Sequence, residues 1–275
     1  MKSNRFFLLP LAAIISLTTL AQGIQAQTGR LYQQMTQSER TAYVAEQARN
    51  IARRISGANY QFTPAFEAEI QKNLDSYVKR IGNNGGDLLW KGEARFIFER
   101  GRDHAPVLIK AFKTHNVSPL IGLYIPWIES EYVNIEKPNS SGSIGMFQFL
   151  PKTGQRYGLT AEELLDVEKS ADAAARYIID GLEKFKGDAM KEALAVLSYN
   201  RGRMKVESDL QLVADEQSKA CSLCALTAAR TRLDQTFQTE SVHYVPRFFA
   251  AAIIGENPRD FGLEFQPLSS YEMKN

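Results

Sequence analysis

Between Ser118-Pro119 and Glu129 the chain holds an apolar stretch, Leu120-Ile121-Gly122-Leu123-Tyr124-Ile125-Pro126-Trp127-Ile128, that ends abruptly in a carboxylate. Serine followed by proline is a helix start, with proline at the first turn where its missing N–H costs nothing. A helix apolar on every side must be packed on every side. Glu129 then lies near the end of a largely buried helix. Burial disfavours the charged form of a carboxyl and raises its pKa, which is the state a general acid needs near neutrality. Taken alone, the same position also suits an ordinary, partly exposed glutamate in a last turn. Pro126 inside the run predicts a kink just before it.

The rest of the chain reads as helices of the same kind. From Ser38 to Ile55, Val44, Ala48, Ile51, Ala52 and Ile55 recur at helical spacing, and Gly57 is placed to end the run. Thr63-Pro64 opens a second helix with Phe66, Ile70, Leu74, Tyr77, Val78 and Ile81 on one face. Gly82-Asn83-Asn84-Gly85-Gly86 is the clearest break and marks a soft boundary. Further helices are expected over Ser170–Lys184, Asp188–Asn200 and Val245–Gly255. No sustained period-2 alternation appears, so the expected class is all-α with minor β character, at most a small hairpin near Ser140–Phe149.

The 33 basic and 31 acidic residues nearly cancel, which gives no electrostatic footprint for a nucleic-acid partner. Lys2 and Arg5 precede a mostly apolar run, Phe6 to Leu20, of signal-peptide length, and small residues follow up to Ala26. Cleavage is expected after Ala26, with export to the periplasm or cell envelope of a bacterium. The two cysteines, Cys221 and Cys224, form a lone C-x-x-C. That pattern fits a redox pair, half a zinc site or a small structural disulfide. No second Cys or His pair lies nearby to complete a zinc site, and an oxidising compartment favours a disulfide or two inert thiols.

Chemistry concentrates in four blocks. Glu129-Ser130-Glu131-Tyr132 comes first, then Gly142-Ser143-Ile144-Gly145-Met146-Phe147-Gln148-Phe149-Leu150-Pro151. Ser198-Tyr199-Asn200-Arg201-Gly202 and Glu240-Ser241-Val242-His243-Tyr244-Val245-Pro246-Arg247 follow. Gln148 carries one acceptor and two donors suited to a saccharide amide or hydroxyl, and the glycines let backbone pass close to a sugar or turn tightly. Met146 and Phe147 suit either a sugar wall or the core. Glu240 and Tyr244, four residues apart, share a face if helical. In order and spacing, the first three blocks resemble the catalytic domain of soluble-type (SLT) lytic transglycosylases. The fourth resembles the signature of membrane-bound lytic transglycosylase D and its relatives, as does Asn257-Pro258. The resemblance runs from about Val107 to Phe261.

The resemblance implies a lysozyme-like catalytic domain over residues 107–265, preceded by a signal peptide (1–26) and an N-terminal helical extension (27–106) and followed by a tail (266–275). It implies cleavage of the β-1,4 bond between MurNAc and GlcNAc in peptidoglycan, leaving 1,6-anhydroMurNAc ends, with Glu129 as the single acid and base and no metal or cofactor. Ser130, Gly145, Met146, Phe147, Gln148, Tyr199, Asn200, Glu240 and Tyr244 are then the expected substrate-binding residues. The expected partner is the glycan strand, with the protein peripheral to wall or membrane. The extension either braces the catalytic domain or docks a cell-envelope protein. Ser198, Arg201, Arg203 and Ser241 depart from the family pattern, and no LysM module is recognised. The rivals are a lysozyme-type hydrolase, which needs a second carboxylate such as Glu131 or Glu136 to position water, and a non-catalytic wall-binding scaffold.

Overall fold

The computed structural model describes residues 29–83, 92–214 and 220–272 of the 275-residue chain. The expected signal peptide and its cleavage site lie outside the described residues, as do Asn84, Gly85 and Gly86 of the glycine-rich break. Helix α1 spans Gln37–Ser56 and α2 Pro64–Val78. Both ends of α1 are set locally. The Thr36 hydroxyl accepts from the Glu39 N–H while Glu39 reaches back to the Thr36 N–H, and Gly57 closes the helix at φ +74°. Thr63 caps α2 by accepting from the Phe66 N–H, with Pro64 at the first turn as expected.

Helix α3 (Ala94–Thr114) runs through the expected boundary at residue 106 without a break, carrying Pro106 inside it. Helix α4 (Pro119–Ser130) is the apolar run, and Pro126 lies within it without ending it. Short α5 (Pro151–Arg156), α6 (Val167–Lys184), α7 (Lys191–Arg201), α8 (Arg203–Val213), α9 (Ser222–Ala228) and α10 (Val242–Glu256) complete the set. The expected hairpin reduces to one antiparallel bridge between Ile144 and Phe149, so the fold is all-α. Among the described residues no helix is long and apolar enough to cross a membrane.

Helices α4 and α10 form the centre. Every residue of α4 from Leu120 to Ile128 is buried, and α10 is buried at nearly every position. Helix α10 packs on α2, α4, α1 and α7, while α4 also packs on α3. Close approach of α3 and α4 depends on Gly122, where a Cβ would stand 2.3 Å from the Phe112 ring. Burying an apolar side chain of this size contributes about 1.5–3 kcal/mol, and these two helices concentrate that contribution around the carboxylate that ends α4.

The described residues from Leu31 to Pro106 belong to the same compact unit as those that follow them. The expected tail is also packed: Leu268 is fully buried, and the Ser269 hydroxyl donates to Glu256 Oε2 at 2.5 Å. Glu256 in turn pairs with Arg54 at 2.6 Å.

Candidate active site

The last turn of α4 places Glu129 beside α10. Glu129 is half-buried, although Ile128 and Ser130 on either side are buried. Its Oε1 accepts a 2.5 Å hydrogen bond from the Tyr244 hydroxyl. Two influences favour its charged form, that hydrogen bond and the nearby Arg247 guanidinium. Loss of water around the carboxyl outweighs both and pushes its pKa up to about 7. The carboxyl is thus poised to give a proton near neutrality and to take one back.

The turn after the acid is held from the N-terminal side. Glu131 and Tyr132 both adopt left-handed backbone, at φ 50° and φ 63°, which costs about 1–2 kcal/mol per non-glycine residue. That geometry persists because side chains determine it. Arg80, just past α2, grips the Glu131 carboxylate through two contacts, at 2.5 and 3.0 Å. Arg100 of α3 donates to the Glu131 carbonyl at 2.7 Å and stands 3.8 Å from its carboxylate. The Tyr132 hydroxyl donates to the Leu123 carbonyl at 2.8 Å. The Glu131 side chain is 1% exposed, so it is engaged by arginines and closed to solvent. Glu136 is exposed in the following loop.

The loop over residues 139–150 is tied to the end of α4 and to α7. Ser130 is fully buried and donates to the Met146 carbonyl at 2.7 Å, tying α4 to the loop. Met146 is fully buried and Phe147 is 1% exposed. The sequence places all three at the substrate, and in the fold their side chains are buried. Gly145 is needed for a reason other than a sugar. Its φ is +77°, and a Cβ there would lie 2.4 Å from the Leu164 carbonyl oxygen. Gly145→Ala should therefore cost about 2 kcal/mol or more and lower the melting temperature by about 4 °C or more, checked by a thermal melt. Gln148 is half-buried at φ 50° and spends its amide on the loop. It donates to the Gly145 carbonyl at 2.7 Å and accepts from Asn139 and Ser143.

Helix α7 brings the third block to the same place. Tyr199 is half-buried, donates to the Phe147 carbonyl at 2.9 Å, and lies near enough to Glu129 for that charge to help raise its own pKa. Asn200 is exposed and accepts from the Ser241 hydroxyl at 2.7 Å. Tyr244 is 1% exposed and meets Glu129 directly, so it positions the acid from within. Glu240 does not sit on one regular α-helical face with Tyr244. Residues Phe237–Ser241 form a π-helical turn ahead of α10, and Glu240 is exposed there. A cavity of about 410 Å³ opens beside Asn200 and Glu240, bounded also by Lys72, His243 and Arg247. A separate cavity of about 1060 Å³, lined largely by alanines and by Cys221 and Cys224, contains neither Glu129 nor any residue that touches it.

The departures have structural explanations. Ser241 keeps the hydroxyl that holds Asn200. Ser198 is buried and bonds back to the Ala195 carbonyl at 2.7 Å. Arg201 is 3% exposed on its side chain and pairs with Asp209 and Asp234, each at 2.8 Å. It braces the end of α7 and is not among the residues that bound the cavity. Arg203 lies over the Tyr177 ring at 4.7 Å and pairs with Asp180. Cys221 and Cys224 are disulfide-bonded at the start of α9. Arg247, the last residue of the fourth block, also acts on Glu129. Its spacing from Tyr244, three residues on along a helix, was the available signal.

Residues 106–221 match the family model of the transglycosylase SLT domain. The match covers the first three blocks and, starting inside α3, includes the whole of α4 with Glu129. The fourth block lies beyond it. The peptidoglycan transglycosylase gp16 of Escherichia phage T7 is 32% identical over 105 residues, covering 36% of this chain and 8% of that protein. The chain thus aligns with under a tenth of that relative's length. The SLT match falls on the segment that carries the buried acid, the Gly145 loop and α7, and these are the elements that converge in space.

Proposed function

We propose that this protein is a peptidoglycan lytic transglycosylase, with Glu129 as its single acid and base. The observation that carries the reading is one carboxyl with a pKa near 7 whose neighbouring carboxylate is withdrawn. Glu131 is engaged by Arg80 and Arg100, so it is not free to position water against a sugar. The SLT-domain match supports the same reading.

In the proposed reaction, protonated Glu129 gives its proton to the glycosidic oxygen, and the bond from that oxygen to C1 of MurNAc breaks. The carbonyl oxygen of the MurNAc N-acetyl group closes on C1 and takes up the positive charge. Glu129, now a carboxylate, removes the proton of the C6 hydroxyl. O6 then attacks C1 and displaces the acetamido oxygen. The glycan is cut, the 1,6-anhydro ring forms, and Glu129 is again protonated without consuming water. Tyr244 orients the carboxyl by its hydrogen bond, and Tyr199 holds the loop wall through the Phe147 carbonyl. We further propose export to a bacterial cell envelope, on the strength of Lys2, Arg5 and the apolar run Phe6–Leu20. Kinship with the D subgroup is proposed from the fourth block. The N-terminal helices are read as a brace for the acid, with docking of an envelope protein as the lesser alternative.

The test is mass spectrometry of fragments released from purified sacculi. Ends one water lighter than the hydrolysis product support the proposal, and reducing MurNAc ends overturn it in favour of a hydrolase. The pH profile is a second check. The first step needs protonated Glu129, so kcat/KM should fall as pH rises through about 7. Tyr244→Phe removes a hydrogen bond that favours the charged form, so it should move that limb to higher pH.

A further inference from the structure

The cavity beside Asn200 shares Arg247 with the surroundings of Glu129. Arg247 follows Tyr244 by three residues on α10, and its guanidinium acts on Glu129. Arg247 Nε is buried without a hydrogen-bond partner among the described residues. A buried donor left unpaired is costly, and more so when charged. Lys72 of α2 stands at the exposed rim of the same cavity. His243 is turned to Glu69, with its Nδ1 3.3 Å from Glu69 Oε2. Glu240, exposed, adds one negative charge to the same lining. A simple anion would be attracted by Arg247 and Lys72 but repelled by Glu240. A group that carries carboxylates together with an ammonium matches the whole lining.

We propose that this cavity is a subsite for the peptide substituent of the glycan, with Arg247 binding a peptide carboxylate and Glu240 facing its cationic end. The proposal rests on the transglycosylase reading. It makes the enzyme prefer glycan that still bears its peptides, and it names Arg247 as a specificity-determining residue. An arginine offers a planar pair of donors to a carboxylate, and such charge-assisted pairs are about twice as strong as neutral hydrogen bonds.

The experiment compares kcat/KM on peptide-bearing glycan with that on the same glycan stripped by an amidase, for wild type, Arg247→Gln and Lys72→Met. Arg247→Gln should lose about tenfold more on the peptide-bearing substrate than on the stripped one, and Lys72→Met about twofold to threefold more. Equal loss on both substrates overturns the proposal, because Arg247 would then act only through the charge of Glu129. Greater loss on stripped glycan also overturns it, assigning the site to the lactyl carboxylate that stripping exposes. If Arg247→Gln fails to fold in a thermal melt, Lys72→Met at the exposed rim decides alone. Wild-type cleavage with unchanged substrate ratios in the variants defeats the subsite only. Failure of the wild type to cleave either substrate defeats the transglycosylase reading as well.

Discussion

Glu129→Gln should abolish fragment release while leaving the fold intact. General acid catalysis is worth about 10²- to 10⁴-fold, and in the proposed reaction the same group also serves as the base, so the expected loss is at the upper end, about 10⁴-fold. The substitution should also stabilise the protein at alkaline pH. The folded-state pKa of Glu129 is raised from 4.5 to about 7. Below pH 4.5 the carboxyl is neutral in both folded and unfolded chains and imposes no penalty. Between 4.5 and about 7 the unfolded chain ionises while the folded one does not, and stability falls. Above about 7 the full linkage cost, about 3 kcal/mol, is present. A glutamine never charges, and its oxygen still accepts from Tyr244. Melting of the variant should therefore exceed that of wild type at pH 8, and the gap should close toward pH 4. An inactive variant with no such pH-dependent gain would mean that Glu129 is not buried as described. Wild-type turnover by the variant would remove Glu129 from its role.

Arg80→Met should produce the largest loss of stability. It removes the two short contacts that Arg80 makes to the buried Glu131 carboxylate, while Arg100 stands 3.8 Å from it. Removing one partner of a buried ion pair costs about 3–5 kcal/mol, which for a domain of this size lowers the melting temperature by roughly 6 to 20 °C. Activity should fall further than unfolding explains, because the left-handed turn at Glu131 and Tyr132 immediately follows the acid. Assays well below the melting temperature, on folded variant, separate the two effects. If activity per folded molecule is unchanged, Arg80 supports the fold alone. The double substitution Arg80→Met with Glu131→Gln should recover part of the stability, because the buried carboxylate charge is then removed with its closest partner.

Much of this was legible from residue types and their spacing. Thr63, Pro64 and Gly57 act within one turn of their own helices, so their effects do not depend on the rest of the fold. The apolar run before Glu129 required burial whatever surrounded it, and the helix it forms is buried from Leu120 to Ile128. The all-α class followed from helical periodicity along the chain.

What escaped the sequence was the direction in which each motif residue points. Ser130, Met146 and Phe147 lie within recognised blocks, yet they face the interior, because the loop folds over the end of α4 and ties itself there through the Met146 carbonyl. Glu240 and Tyr244 have helical spacing, but a π-helical turn separates them, and backbone hydrogen bonding of that kind leaves no mark in periodicity. The link from Arg80 to Glu131 spans 51 positions, and Asn200 meets Ser241 across 41. No local pattern encodes such partners, since a side chain's neighbours across the core are set by how helices pack. The sequence by itself determined that this chain would place a carboxyl at the end of an apolar helix that has to be buried. Only the tertiary structure decided that Tyr244 and Arg247 would stand beside it while Arg80 and Arg100 held its neighbour away, because those contacts exist only once α2, α3 and α10 have closed around α4.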